Sequence, residues 1–442
     1  MWGEDVALST NLTGTFQPLI SNSEYLQQNF GAVSSLEQSL QEKMRGGNSP
    51  LGIIGNFVST PTGSGFAASV EKVSSSLSKR SEKYLKNLAW RKKVYKLQEG
   101  IQSILRSETC FEEFRGLKAC MHTTLPNIAN VTITKDSAGV ARYRGLVTCD
   151  NNWVCPICSA RNAAKNAERI SKAIDKAYNV LGLTVIMLTF THQHYLGQPL
   201  APQIESHNLA LRKLRGSRQY KRFAENAGVV ASFTAREVTY NDDGGGFNWH
   251  NHILLFCKSE SAVRSSVDML SALWVSKLQL SGMPCSNWDW VRKHGLQIEY
   301  NMHSSEYLTK YGQFWGAERE VTKSWVKNGG GRHPFDLALS AMEGNEDDKK
   351  LFLEFVRATR GKVKYRFSPG FDEFFGIDAE LCEVEEQEEH TVVAYLPLSA
   401  WLLVIKHRAR CELLEIAESG GYEAVRLWFI RYDYVLPPPP SL

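Results

Sequence analysis

The stretch from Val229 to Phe256 constrains the fold more than any other part of the chain. Val229 to Tyr240 alternates apolar and polar residues, the turn-forming NDDGGGF follows, and His250 to Phe256 returns as a second apolar run. Two strand-length runs around a turn rich in Gly and Asp read as a β-hairpin. A further strand is read over Val185 to Thr191, and helices over Ala262 to Leu280 and around Ser304 to Gly312. Hairpins mixed with helices, without regular strand-helix-strand units, predict an α+β fold built on an antiparallel sheet.

The 442 residues allow about three domains and a sizeable core. With 43% hydrophobic and 22% charged residues, the collagenous, disordered and coiled-coil classes are excluded. The longest apolar runs, Val185 to Phe190 and Ile253 to Cys257, fall far short of the ~20 residues that span a bilayer, so no membrane partner is expected. No signal peptide is visible in MWGEDVALSTNLTG. The nine cysteines therefore read as reduced thiols or metal ligands in a cytoplasmic protein.

Five stretches are expected. Residues 1–78, rich in Ser, Gly, Asn and Gln, read as a flexible N-terminal arm. Residues 79–165 hold a basic amphipathic helical part, with eleven Lys or Arg against five acids between Lys79 and Lys118, and then a cysteine cluster. The strand-and-helix core runs over 166–320, with an extension of short helices and loops over 321–377. Residues 378–442 read as an acidic linker, with seven carboxylates from Asp378 to Glu389, and a small helical tail ending in PPPPSL.

Cys149, Cys155 and Cys158 stand in TCDNNWVCPICSAR. The Cys-Pro-Ile-Cys knuckle puts two thiolates on one tight turn, as a structural tetrahedral Zn²⁺ site requires. Cys120 is the best fourth ligand, His122 the runner-up and Cys110 a weaker choice. A redox role for the pair lacks the preceding strand of a thioredoxin-like unit.

His250 and His252, two apart in NWHNHILLF, point to one face of a strand and can share a metal ion. His192 and His194 show the same spacing in THQHYL, where core or surface histidines are the commoner outcome. The strand before the turn carries Glu237, and register decides whether it reaches the two imidazoles. Two His and one carboxylate with open positions suit Mg²⁺ or Mn²⁺ that also binds a phosphate oxygen. In HSSEYLTKYGQ, Tyr307 and Tyr311 lie four apart on one helix face, with Lys310 beside the second. Packing aromatics often show that spacing, but a phenol next to a metal-polarised phosphate is a competent nucleophile.

In their order, CDNNWVCPICSAR, VIMLTFT, AREVTYNDDGGGFNWHNHILLF, EYLTKYG and GGRHPFDLA followed by FVRATRGKVKYRFSPGF resemble the HUH-type Rep proteins that initiate rolling-circle plasmid replication. The resemblance covers roughly residues 115–377. It implies an HUH endonuclease core with a five-stranded antiparallel sheet flanked by helices, the His-x-His strand central and the tyrosine helix across it. It further implies that His250 and His252 are the ligands of the catalytic Mg²⁺ or Mn²⁺, and that Tyr311, directly after Lys310, nicks origin DNA that is single-stranded at the nick site. Glu237 is read beside them as the third ligand, and Lys310 as positioning the metal-bound phosphate or the tyrosine. Two residues depart from the usual pattern: Asn251 stands between the histidines, and Tyr307 replaces a common glutamate, which suggests a second nucleophile. Arg212, Lys213, Arg215, Arg218, Lys221 and Arg222, six basic residues in a run without acids, are candidates for DNA backbone contact, as is the basic stretch from Lys79 to Lys118. Host helicase and polymerase are the further partners implied. The competing readings are a mobilisation relaxase or single-strand transposase, and a non-catalytic zinc-containing DNA-binding protein.

Overall fold

A computed structural model describes residues 88–106, 114–303, 331–377 and 390–438. The N-terminal arm, Cys110, the acidic linker over 378–389 and the residues Tyr307, Lys310 and Tyr311 lie outside the described residues.

The hairpin forms as its alternation predicts. Strand β4 (Ala231–Asn241) pairs antiparallel with β5 (Gly246–Cys257) in an unbroken register from Ala231 opposite Phe256 to Asn241 opposite Gly246. The turn depends on Gly246, whose φ is +61° and where a Cβ would stand 2.7 Å from the Tyr195 carbonyl oxygen. Only a residue without a side chain fits there.

Strand β3 (Thr184–Phe190) pairs with β5 on its other side, so the His-x-His strand is central. With β6 (Leu296–Glu299) beyond β3 and β7 (Tyr365–Phe367) beyond β4, the order is β6-β3-β5-β4-β7, antiparallel throughout. Helices cover both faces, which explains why β5 is apolar almost without interruption toward Cys257. On one face Val185, Met187, Phe233, Leu254 and Phe256 pack beneath the Pro156–Asn179 helix, whose Ala163, Ala173 and Ala177 allow a close approach. On the other, Ile186, Leu188, Ile253 and Leu255 pack beneath the Leu200–Gly216, Arg218–Ala227 and Val267–Gln279 helices. Each such large apolar side chain contributes about 1.5–3 kcal/mol on burial.

A second, three-stranded sheet joins distant parts of the chain. Strand β1 (Asn130–Lys135) pairs with β2 (Ala141–Arg144) and with β8 (Thr391–Pro397), all antiparallel. The stretch read from sequence as a helical tail therefore supplies a strand as well as the Leu398–Lys406 and Arg410–Ile430 helices. Val131, Ile133, Leu396, Trp401, Leu413 and Phe429 form its core. Among the described residues no helix is long and apolar enough to cross a membrane.

Candidate functional site

Among the described residues two groups of side chains gather with the spacing of metal ligands. The first is Cys120, Cys149, Cys155 and Cys158, whose sulfurs all lie within 4.8 Å of one another. Cys120 follows the short Arg115–Ala119 helix, and Cys149 stands in the loop after β2. Cys155 caps the Pro156–Asn179 helix, where Pro156 stands in the first turn, and Cys158 lies one turn on. The Sγ–Sγ distances are 3.6 Å for Cys120 to Cys155 and to Cys158, and 3.7 Å for Cys149 to Cys158. Those are far beyond a disulfide bond. They match the ~3.8 Å edge of a tetrahedron with metal–sulfur bonds of about 2.3 Å.

Hydrogen bonds from Cys120, Cys149 and Cys155 hold the Cys158 thiol below its ordinary pKa, whereas the contact with Cys120 pushes Cys149 up and burial pushes Cys155 up. His122 stands outside the group. Its Nδ1 bonds the Cys120 carbonyl oxygen at 2.9 Å, and burial pushes its pKa down to about 4.

The second group is Glu237, His250 and His252. The hairpin register settles what spacing alone left open: Glu237 lies directly opposite His250, and its neighbour on that face, Ala235, opposite His252. All three side chains thus project from one face. Glu237 Oε2 lies 3.3 Å from His250 Nε2 and 3.2 Å from His252 Nε2. With metal–ligand bonds of about 2.1 Å, adjacent donors stand about 3.0–3.4 Å apart, so the donor set fits a small divalent ion.

Burial would raise the Glu237 pKa, but the hydrogen bonds and charges of His250 and His252 hold it well below the usual carboxylate range. Burial lowers the His252 pKa against the pull of Glu237. An ionised carboxylate beside a neutral imidazole is the protonation state that metal ligation requires. Thr189 on β3 faces His252 across the register, and its Oγ1 lies 2.9 Å from His252 Nδ1. That contact fixes the ring and leaves Nε2 for the ion. No charge or motif marks Thr189 in VIMLTF, so sequence reading missed it. Among the described residues the buried Nδ1 of His250 has no hydrogen-bond partner.

The upstream histidines are placed differently. His192 is fully buried, with Nδ1 3.0 Å from His207 Nδ1 and Nε2 3.2 Å from Gln203 Oε1. His194 Nδ1 donates to the Gly245 carbonyl at 2.6 Å, bracing the hairpin turn. The basic run lies on helices packed against the sheet face opposite Glu237. Arg212, Arg218, Lys221 and Arg222 are exposed there, whereas Arg215 bonds Thr234 Oγ1 at 2.8 Å and Lys213 bonds the Leu280 carbonyl. The segment that carries Tyr307, Lys310 and Tyr311 is flanked by anchored residues: Met302 N–H donates to the Val185 carbonyl, and Arg332 bridges Tyr240 of β4.

The chain is similar to a protein of Lactiplantibacillus plantarum named "Protein rep", at 25% identity over 128 residues, 28% of this chain and 39% of that protein. It is similar to a "Neomycin resistance protein" of Streptomyces cyanogenus at 26% identity, over 28% of this chain and 33% of that protein. A "Protein rep" of Streptomyces lividans is 27% identical over 328 residues, 58% of this chain and 70% of that protein. The chain thus spans well under half the length of the first two of these relatives. No solved structure matches it. The family model Rep_1, described as "Replication protein", matches residues 141–387, more than half of the chain, from β2 through both sheet faces and the paired histidines to the acidic stretch. By that match the chain belongs to the Rep_1 family of replication proteins.

Proposed function

We propose that this chain initiates rolling-circle replication of a plasmid by nicking one DNA strand at the origin, and that the five-stranded sheet is an HUH-type endonuclease core. The observation that carries this reading is the convergence of Glu237, His250 and His252 on one face of the central hairpin, in a chain of the replication-protein family. A divalent cation, Mg²⁺ or Mn²⁺, held by these three side chains would draw electron density from a non-bridging phosphate oxygen.

Tyr311 supplies the nucleophile. Its phenolic oxygen attacks the phosphorus in line, the bond from phosphorus to the 3′-oxygen breaks, and the proton lost by the phenol ends on that oxygen. The products are a 5′-phosphotyrosine link and a 3′-hydroxyl that primes host polymerase, while a host helicase opens the duplex. Lys310 positions the phosphate or the phenol. Tyr307 performs the second transfer that closes the displaced strand into a circle.

In the cysteine group the four thiolates hold a structural Zn²⁺. Arg212, Arg218, Lys221 and Arg222 contact the DNA backbone outside the nick site, and Lys213 and Arg215 support them. These events belong to the cytoplasm, where the plasmid is.

Incubating the full chain with single-stranded fragments of its replicon and Mn²⁺ tests the reading. A covalent protein–DNA adduct is expected, absent in Tyr311→Phe while DNA binding persists. An adduct that survives in Tyr311→Phe and disappears in Tyr307→Phe would reverse the two tyrosine roles. A chain that binds DNA but never cleaves it would leave a zinc-containing binding protein.

A further inference from the structure

Between the Pro156–Asn179 helix and strand β7 lies a groove of about 310 Å³. Thr189, His252, Ala235 and Tyr365 form one row across β3, β5, β4 and β7, each directly opposite the next. Directly opposed residues project to the same side, so the groove opens on the sheet face that carries Glu237, His250 and His252. Tyr365 is two strands from His252, about 10 Å.

The walls differ in chemistry. On the helix, Asn162, Lys165, Asn166 and Arg169 recur at spacings of three and four and present one face to the groove. Opposite stand the rings of Tyr365 and Phe367. Arg169 is already committed: it ion-pairs with Asp372, and its guanidinium carbon lies 3.6 Å from the centre of the Phe367 ring. Lys165 has no ion-pair partner among the described residues. At one end Asn152 Oδ1 accepts from Asn162 Nδ2 at 2.7 Å, which joins the groove to the loop between Cys149 and Cys155.

An aromatic ring, side-chain amides and an uncommitted ammonium match the three parts of a nucleotide. The ring stacks on a base, the amides meet its hydrogen-bonding edge, and the ammonium meets a phosphate. The volume is at the lower end for pockets that enclose a small ligand, too small for a base pair within a duplex. Only an unstacked base enters such a groove.

We propose that the groove holds one unstacked nucleotide of a single DNA strand whose adjoining phosphates run to Glu237, His250 and His252, with Tyr365 as the stacking platform and Lys165 as the phosphate contact. The placement of the phosphates rests on the nicking function proposed above; the binding of the nucleotide does not.

The test uses the full chain and a fluorescein-labelled, mixed-sequence, single-stranded oligodeoxynucleotide bearing 5-iododeoxyuridine. In anisotropy titrations at fixed salt, Lys165→Glu and Tyr365→Leu should each weaken binding about fivefold or more. Irradiating the unaltered chain should attach the iodinated base to Tyr365 or Phe367, found by peptide mass spectrometry. The crosslink requires no variant, so it decides the matter if a substitution unfolds β7. Unchanged affinity in folded variants, or a crosslink confined to other surfaces, overturns the groove even if the unaltered chain nicks DNA. Weakened variants and a groove crosslink in a chain that never nicks with Mn²⁺ would keep the groove and overturn the nicking reading instead.

Discussion

Thr189 has no charge and makes no chemical bond in the proposed reaction, yet its hydroxyl decides which nitrogen His252 offers to a metal ion. Thr189→Val keeps the β-branched shape and removes only that contact. Mn²⁺ affinity, measured by calorimetry or by the electron paramagnetic resonance of the ion, should fall about 10–100-fold with the fold unchanged. Affinity within twofold of the unaltered chain would show that packing alone orients the ring. Glu237→Gln should abolish Mn²⁺ binding outright, because it leaves two neutral imidazoles and no compensating charge. At this scale the paired histidines were legible in the sequence. The two-residue spacing of His250 and His252 fixes a common face, whereas the place of Glu237 waited on the register of the hairpin, and Tyr307, Lys310 and Tyr311 lie outside the described residues. Thr189 was not legible, because a hydroxyl becomes significant only once β3 is placed beside β5.

Among elements, the β4–β5 hairpin was the plainest in sequence and the one whose turn leaves least tolerance. Gly246→Ala forces a Cβ against the Tyr195 carbonyl and a left-handed φ on a residue that resists it. A loss of about 1–3 kcal/mol is expected by urea denaturation, with weaker metal binding if the register moves. The contacts of β3 and its following loop with the Leu200–Gly216 helix make a second prediction. Burial holds His192 at a pKa down to about 3 and His207 well below the ordinary value, so both stay neutral in the fold. The unfolded chain protonates them near 6.5. Between about pH 6.5 and 3 it therefore binds more protons than the folded chain, and stability is lost as pH falls through that window. The urea midpoint should decline from pH 7 to 4, and less steeply in His207→Leu; an equal slope would assign the acid sensitivity to other groups. The short strands β6 and β7, four and three residues long, were not legible because so few residues carry no period. Strand β8 was missed for another reason: its partner is remote in sequence, and local pattern says nothing of remote pairing.

At the scale of the whole molecule, the cysteine group stands where the two sheets' supports meet. Gln98 donates to the Cys120 carbonyl and toward Cys155 Sγ, and its own oxygen accepts from Arg410 Nη1 at 2.9 Å. Arg410, buried from water, also reaches the Met121 carbonyl and Glu99. Metal analysis of purified protein should find about one Zn²⁺ per chain. Cys155→Ser should lower the melting temperature and speed hydrogen exchange in β8 and the Arg410–Ile430 helix, while exchange in the β4–β5 hairpin changes less. A stable, zinc-free chain with full activity would remove the metal from the structure.

The pairing of β1 with β8 also sets an order of events at the ribosome. Lys135 and Thr391 are partners about 250 residues apart. At about 5–20 residues per second, β1 waits roughly 10–50 s after its own synthesis with one edge uncovered. The five-stranded sheet is complete once β7 has emerged, before β8 exists to pair. A nascent chain thus passes through a stage in which the metal-binding hairpin is assembled beside an open strand edge, the surface on which neighbouring chains on one message would aggregate.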